Sequence, residues 1–215
     1  MRVKAVWLAS IACASSIVAL TGCSMPQGSA IGVTPAAGAE AKKSPAAPIA
    51  IYDNLGTGRR KYRCCIAWTI GGPHSKIGQQ WLAAPFTPSA DRTATSVSLG
   101  LTWSLGPNAG LTVSLAPDRN GHPGKDIVAA QVPANLPAFN HCCAVQSIAF
   151  ASPAKLSKGL RYWVVVRTNA ATARTVDNWQ NNITNAGGII SSQNGKGWGD
   201  ATVGKGLPAF AVFGR

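Results

Sequence analysis

The sequence contains few acidic residues. Its 215 residues include 20 Lys and Arg but only 7 Asp and Glu, and every acidic residue after Glu40 is an aspartate. These aspartates are Asp53, Asp91, Asp118, Asp126, Asp177 and Asp200. A glycosidase needs two carboxyl groups that flank the scissile bond, and nothing in the sequence selects two of these six. No catalytic residue is therefore predicted, and a glycan hydrolase is kept only as an alternative.

Several other signatures are also missing. The sequence has no G-x-S-x-G elbow and no H-E-x-x-H motif, which disfavours common serine hydrolases and zinc proteases. No repeat of fixed period indicates a propeller or solenoid. Outside the first 20 residues no window shows a helical apolar stripe. Nothing resembles a module for specific nucleic-acid binding, and no cofactor is predicted.

The N-terminus lacks an apolar run long enough for a transmembrane helix. Arg2 and Lys4 precede an uncharged stretch of 16 residues, Ala5 to Leu20, whereas a spanning helix needs about 20. A basic start followed by a short apolar region is typical of a secretory signal peptide. We therefore expect export from the cytoplasm.

The four residues Leu20-Thr21-Gly22-Cys23 resemble the lipobox of bacterial lipoproteins. The resemblance implies cleavage before Cys23, a diacylglyceryl group on its thiol, and acylation of the new amine. Two or more chains anchor a protein stably where one chain is marginal. Ser24 in the second mature position implies transport to the outer membrane. We expect residues 1–22 to be the signal peptide and the mature protein to be lipid-anchored in the cell envelope, on its periplasmic or surface face.

The segment that follows the lipidated cysteine is poor in large apolar residues. Residues 23–50 are mostly Ala, Pro, Gly and Ser, a composition that cannot offset the entropy lost on ordering. They are predicted to form a disordered tether with a reach of roughly 25–30 Å. The remaining stretch, 51–215, is long enough for one domain with its own core.

The charge balance predicts anionic partners. Loss of Arg2 and Lys4 with the signal lowers the formal net charge from +13 to +11, which attracts anionic polymers such as acidic polysaccharide. The densest basic run is Arg59-Arg60-Lys61-Tyr62-Arg63. We expect Arg59, Arg60, Lys61 and Arg63 to contact a polyanion. The alternative is a solvated loop that only keeps the domain soluble.

Four cysteines remain in the domain, as two adjacent pairs. Cys13 leaves with the signal and Cys23 carries lipid, so Cys64-Cys65 and Cys142-Cys143 are left. An even number of cysteines in an oxidising compartment favours disulfides. We expect at least one bridge between the two segments. A soft-metal site that includes His141 is the alternative, although adjacent cysteines seldom both face one ion.

Alternating apolar and polar residues predict strands throughout the domain. The clearest are 96–104 and 111–115, and the Gly- and Pro-containing stretch 106–110 between them predicts a hairpin. The other candidates are 49–54, 64–70, 79–87, 127–132, 144–151, 160–168, 175–179, 188–192 and 207–213. This pattern predicts an all-β fold, a two-sheet antiparallel sandwich of the jelly-roll type.

One loop contains several oxygen ligands. Asp118, Asn120 and the later Asp126 invite a calcium hypothesis, but Pro123 occupies the position where an EF-hand requires glycine. The alternative is a hairpin turn that these side chains satisfy.

Two tryptophans lie among polar and small residues. Trp179 has the neighbours Asn178 and Gln180, and Trp198 lies between glycines. Indole faces beside amides suit a sugar, because the ring covers C–H groups while the amides bind hydroxyls. Loop tryptophans most often cap the end of a sandwich core, and that is the first expectation here. A glycan surface at Trp179, Trp198, Asn178 and Gln180 is the second.

Seven short signatures in this order resemble the choice-of-anchor R domain of bacterial surface proteins. They are 52–55 (Tyr-Asp-Asn-Leu), 68–72 (Trp-Thr-Ile-Gly-Gly), 86–88 (Phe-Thr-Pro), 96–99 (Ser-Val-Ser-Leu), 118–124 (Asp-Arg-Asn-Gly-His-Pro-Gly), 162–165 (Tyr-Trp-Val-Val) and 208–212 (Pro-Ala-Phe-Ala-Val). The resemblance implies an extracytoplasmic β-sandwich joined to interchangeable anchors, with no agreed catalytic residues. The cysteine pairs and the basic run depart from the family pattern.

These expectations combine into one functional hypothesis. The chain is predicted to be a membrane-anchored, non-catalytic module that binds anionic polymers or glycans of the envelope. Its predicted partners are the membrane, through the lipid on Cys23, and an anionic polysaccharide or glycan. A glycan hydrolase and a purely structural scaffold are the alternatives.

Overall fold

The regular structure of the described residues consists of β-strands. The computed structural model describes residues 47–108, 110–168, 173–188, 190–201 and 206–215, so the predicted signal peptide and nearly all of the predicted tether lie outside the described residues. Within these ranges no helix could span a membrane. The strands are β1 (Ile49–Asp53), β2 (Ala67–Gly71), β3 (Trp81–Phe86), β4 (Arg92–Leu99), β5 (Leu101–Leu105), β6 (Leu111–Arg119), β7 (His122–Pro123), β8 (Val128–Gln131), β9 (Gln146–Leu156), β10 (Tyr162–Thr168), β11 (Val176–Gln180), β12 (Ile190–Gln193), β13 (Trp198–Ala201) and β14 (Phe210–Gly214).

Eight of these strands form a jelly roll. The first sheet has the order β1-β14-β4-β9, and the second contains β3-β10-β6-β8, with antiparallel pairing throughout. This arrangement of two four-stranded sheets is the jelly-roll order. Strands β12 and β13 extend the second sheet beyond β3, and β7 pairs with the end of β6. The predicted all-β sandwich is confirmed.

A third sheet, β2-β11-β5, continues the first one past Gly100. The amide of Gly100 donates to the Ala209 carbonyl at 3.1 Å, and the Gly100 carbonyl accepts from the Gln180 amide at 2.8 Å. A Cβ at position 100 would lie 2.7 Å from the Tyr62 ring. Glycine therefore lets the ring approach the backbone where the chain passes from β4 to β5.

The predicted hairpin between 96–104 and 111–115 is wrong. The first segment is divided between β4 and β5, and β5 pairs with β11, whereas β6 pairs with β10, β8 and β7. Alternation in sequence specifies which face of a strand is buried, but it does not specify the neighbouring strand. The loop around Gly106 instead carries the chain from one sheet to another.

The core lies between the sheets and includes an aromatic cluster. The rings of Tyr52 and Phe210 stack with centroids 4.7 Å apart, and Trp179 meets Phe210 edge-on at 5.8 Å. Strand β10 is buried on both faces. Its Val164 contributes to the main core, while Trp163 joins a small separate cluster on the other face of the second sheet.

Candidate binding surfaces

A buried tyrosine anchors the basic run. Tyr62 is only 2% exposed, its ring packs against Gly100, and its hydroxyl donates to the Ala144 carbonyl at 3.4 Å. Burial raises the pKa of Tyr62 to about 12, with a smaller contribution from Cys64. The phenol is therefore neutral at physiological pH. Its burial holds the loop in place while the arginines beside it stay exposed.

Two of the predicted cations line a pocket of about 390 Å³, here called the basic pocket. It is lined by Arg60, Tyr62, Arg63, Cys64, Cys142 and Ile183. Both arginines are exposed. Arg63 donates a hydrogen bond to the side-chain carbonyl of Asn185. Arg59 is exposed outside the pocket lining, and Lys61 is half-buried.

The arginines of the basic pocket have no carboxylate partner among the described residues. The side chains that do lie within ion-pair distance of a carboxylate there are His122, Arg161 and Arg167. A guanidinium group that faces solvent without a carboxylate is available to an external anion, and its planar fork can bind carboxylate, phosphate or sulfate through two donors. Arg60 and Arg63 are therefore the two guanidinium groups of the basic pocket that face solvent.

The cysteines meet at this pocket, but their pairing differs from the prediction. Cys142 and Cys143 form a disulfide, whereas Cys64 and Cys65 are free thiols with Sγ atoms 3.4 Å apart. The predicted bridge between the segments is absent. Neither pair lies on a strand, so the alternation of strand side chains does not separate adjacent thiols. The segments are nevertheless neighbours, because the Cys143 Sγ lies 3.7 Å from the Tyr62 carbonyl.

Among the described residues, no cluster of side chains supports the soft-metal site or the calcium site considered from the sequence. Across the described ranges, no group of three or more His, Cys, Asp or Glu side chains could hold a metal ion. Asp118 accepts hydrogen bonds from the Trp163 indole at 2.8 Å and the Gly121 amide at 3.1 Å. Asp126 instead accepts from Ser114 and forms an ion pair with Arg167. The two carboxylates of the calcium hypothesis are thus bound by different partners.

The loop between Asp118 and Asp126 contains a turn. Asn120 has a φ of 55° and Gly121 a φ of 85°, and the two residues connect β6 to β7. Both are conformations that asparagine and glycine tolerate best. The alternative interpretation of this loop as a hairpin turn is confirmed.

The group centred on Trp179 lies in the interior. Trp179 is fully buried on β11 and donates to the Ala209 carbonyl at 3.0 Å. Gln180 is 1% exposed and donates to Thr102, and Asn178 is 7% exposed and donates to Ser104. A stacking surface needs an accessible ring face, and the Trp179 ring has none. The prediction of ligand contacts by these three residues is wrong, and Trp179 belongs to the core.

A second cavity, the end cleft, has a volume of about 540 Å³ and lies where β3 ends and β10 begins. It is lined by Tyr52, Pro85, Phe86, Thr87, Gly121, Arg161, Trp163, Gly187, Gly188, Asp200 and Leu207. The half-buried Trp198 packs against the cluster that contains Trp163. Aromatic rings, one guanidinium and one carboxylate thus adjoin one cavity.

Polar pairs surround this cleft. The His122 Nδ1 lies 3.9 Å from an Asp200 carboxylate oxygen, and an Arg161 nitrogen lies 3.9 Å from Asp118. Of the six domain aspartates, all of which are described, Asp200 alone lines the end cleft or the basic pocket. A glycosidase needs two carboxyl groups in one cleft. The lining of the end cleft supplies one carboxylate, that of Asp200, while Asp118 contacts the lining residues Arg161 and Trp163 from outside the lining.

Sequence reasoning did not select Arg161, His122 or Asp200. Arg161 directly precedes β10, His122 is in the short β7, and Asp200 is in β13. The local signal was the Trp-Gly-Asp stretch 198–200, which led to Trp198 but not to the carboxylate two residues later. Only the pairing of distant strands places these residues together.

The comparisons with known proteins add no family. The chain matches no family model, and no curated protein and no solved structure matches it.

Proposed function

We propose that the chain is a lipid-anchored lipoprotein of the bacterial cell envelope. Its choice-of-anchor-like β-sandwich would serve as a non-catalytic module that binds an anionic polymer at the basic pocket. The observation that carries this proposal is that Arg60 and Arg63 line a pocket of about 390 Å³ without a carboxylate partner among the described residues.

Two features favour a polymer as the ligand. The mature chain keeps a large positive charge, so a chain of repeated negative groups is attracted from several directions at once. Exposed Arg59 lies next to the pocket in sequence and extends the cationic surface beyond it. Acidic polysaccharide carries carboxylate or sulfate groups that a guanidinium binds through two donors.

The test is a binding array with the full-length protein in detergent. Polygalacturonate, heparin and neutral glucans are immobilised and probed at about 20 mM and about 150 mM salt. Because salt screens exposed charges, binding to the two polyanions is expected to fall at least tenfold between these conditions. The neutral glucans are expected to bind no better at low salt than at physiological salt.

Charge reversal of Arg60 and Arg63 tests whether the polymer binds at the basic pocket. The Arg60→Glu/Arg63→Glu variant is expected to lose at least tenfold in affinity for polygalacturonate. The Arg119→Glu/Lys155→Glu variant changes the net charge by the same amount at exposed positions away from the basic pocket. If both variants lose affinity equally, net charge alone explains binding and the basic pocket is not the site.

A neutral glycan in the end cleft is the second candidate. It is supported by the cavity of about 540 Å³, where Trp163, Arg161 and Asp200 contribute to the lining and Trp198 packs beside Trp163. Binding by ring stacking and neutral hydrogen bonds changes little with salt. Glucan binding that is insensitive to salt and abolished by Trp198→Ala would favour this candidate. Absence of all binding would favour a scaffold, and release of sugar products would favour a hydrolase.

A further inference from the structure

Two cysteine pairs from distant parts of the chain each contribute one residue to the basic pocket. Cys64 and Cys142 both line the basic pocket, and Cys65 and Cys143 are their neighbours in sequence. One pair is a dithiol and the other a disulfide. A dithiol beside a disulfide contains both reactants of thiol–disulfide exchange.

We propose that these cysteines form an exchange site in which Cys64 opens the Cys142–Cys143 disulfide. The Cys64 thiol loses its proton, and the thiolate attacks the Sγ of Cys142. The Cys142–Cys143 bond breaks, a Cys64–Cys142 bond forms, and Cys143 leaves as a thiolate that takes up a proton. One disulfide is present before and after the step, so no external oxidant or reductant is needed.

The surroundings of Cys64 select it as the attacking residue. Cys64 shares the pocket lining with Cys142, whereas Cys65 is not part of that lining. The Cys65 thiol donates a hydrogen bond to the Cys64 sulfur, which together with burial raises the pKa of Cys64. Arg60 and Arg63 belong to the same lining, so the thiolate forms in a pocket that contains two cationic side chains. Exchange is therefore expected to be slow in acid and faster in mild alkali.

The product would join the two segments of the basic pocket covalently. A bridge between positions 64 and 142 closes a loop of nearly 80 residues, while the bridge between 142 and 143 closes almost none. Longer loops restrict the unfolded chain more strongly. The cross-segment bridge expected from the sequence is thus the second state of this site rather than the state that the structure shows.

Tryptic peptides distinguish the two states in the mature full-length protein. Cleavage after Arg63 and Lys76 releases residues 64–76, and cleavage after Lys125 and Lys155 releases residues 126–155. The protein is moved from pH 4 to pH 8.5, sampled over hours, quenched in acid and alkylated with N-ethylmaleimide. We expect linked 64–76/126–155 peptide with one alkylated cysteine in each half, recovered from the monomer band of a non-reducing gel.

Two serine variants identify the attacking thiol. Cys65→Ser is expected to form the linked peptide at a rate similar to that of the wild type, and Cys64→Ser at least tenfold more slowly. The proposal is overturned if wild-type protein yields only an internal disulfide in 126–155 and two alkylated thiols in 64–76. It is also overturned if Cys64→Ser forms linked peptide as fast as Cys65→Ser. The wild-type result does not depend on the folding of a variant, and polymer binding does not enter either measurement.

Discussion

At the scale of single residues, Asp177 is the most perturbed acid of the domain. Its side chain is fully buried on β11 and accepts one hydrogen bond from the Thr175 hydroxyl at 2.8 Å. Among the described residues no donor contacts its other carboxylate oxygen, Oδ1. Burial raises the pKa of Asp177 to about 7, while the bond from Thr175 lowers it. Asp177 lines neither cavity, so its effect is on stability and not on binding.

The pKa of Asp177 predicts a pH-dependent stability. An unfolded aspartate titrates near pH 4. Between about pH 4 and pH 7 the folded state therefore holds a proton that the unfolded state has released, and stability is lost as the pH rises through this window. The loss is complete above about pH 7 and amounts to about 4 kcal/mol at most.

The Asp177→Asn variant is expected to abolish this contribution. Urea unfolding at pH 4 and pH 8 gives the pH-dependent change in free energy for each protein. Between pH 4 and pH 8, the free energy of unfolding should fall by up to about 4 kcal/mol more in the wild type than in Asp177→Asn. Asp91→Asn, at an exposed position, is the control for loss of one aspartate. Equal pH dependence in the wild type and Asp177→Asn would contradict the prediction.

Residue patterns in the sequence explained some side chains and not others. The turn at Asn120 and Gly121 followed from their tolerance of positive φ. The polar neighbours of Trp179 suggested a surface, whereas Asn178 and Gln180 donate hydrogen bonds to side chains of β5 inside the sheet. Buried polar groups that find partners resemble surface residues in sequence. Buried and exposed polar residues are distinguished only when the neighbouring strand that supplies the hydrogen-bond partners is known.

At the scale of strands, Gly100 determines how the first and third sheets meet. It lies between β4 and β5 with no positive φ to require glycine. The requirement comes from the Tyr62 ring, whose nearest carbon would be 2.7 Å from a Cβ at this position. The same ring anchors the basic pocket, so this contact links the sheet junction to the proposed binding surface.

The Gly100→Ala variant is expected to destabilise the domain by about 1–3 kcal/mol, the usual cost of overpacking a core. The reason is that the Tyr62 ring, which is 2% exposed, must shift from its packed position to admit the new Cβ. Gly187→Ala is the control, because a Cβ there would meet nothing within 4 Å. Urea midpoints measure both variants. A Gly100→Ala midpoint equal to that of Gly187→Ala would show that the ring adapts.

The strand pattern was largely predictable, and the pairing was not. Most predicted segments overlap strands of the structure, because period-two alternation reports a half-buried strand directly. The two-residue β7 and the Gly- and Asp-containing β13 were missed, since neither presents enough apolar residues to show a period. The 106–110 loop joins different sheets although its composition suits a hairpin. Composition identifies a turn but does not identify what the turn connects.

At the scale of the whole molecule, both cavities are products of the jelly-roll topology. The lining of the end cleft combines residues of β1, β3, β10 and β13 with loop residues, and the lining of the basic pocket combines segments near positions 60, 142 and 183. A sandwich could be predicted from strand spacing alone. The contents of the cavities could not, because they depend on which strand ends meet.

The expected lipid anchor on Cys23 would determine where the entire chain is located. The apolar run before Leu20-Thr21-Gly22-Cys23 and the small residues of that motif favour cleavage before Cys23 and lipid on its thiol. The Cys23→Ala protein is therefore expected to keep residues 1–22 and to gain no lipid, as read from its intact mass. Cys13→Ala is the matched control, since it removes a cysteine of the same leader and should be cleaved and lipidated normally. Cleavage of Cys23→Ala at the same bond, with the product still bound to membranes, would show that another feature anchors the protein. Two or more acyl chains on the mature N-terminus would hold the domain, and with it the basic pocket, stably at the membrane surface.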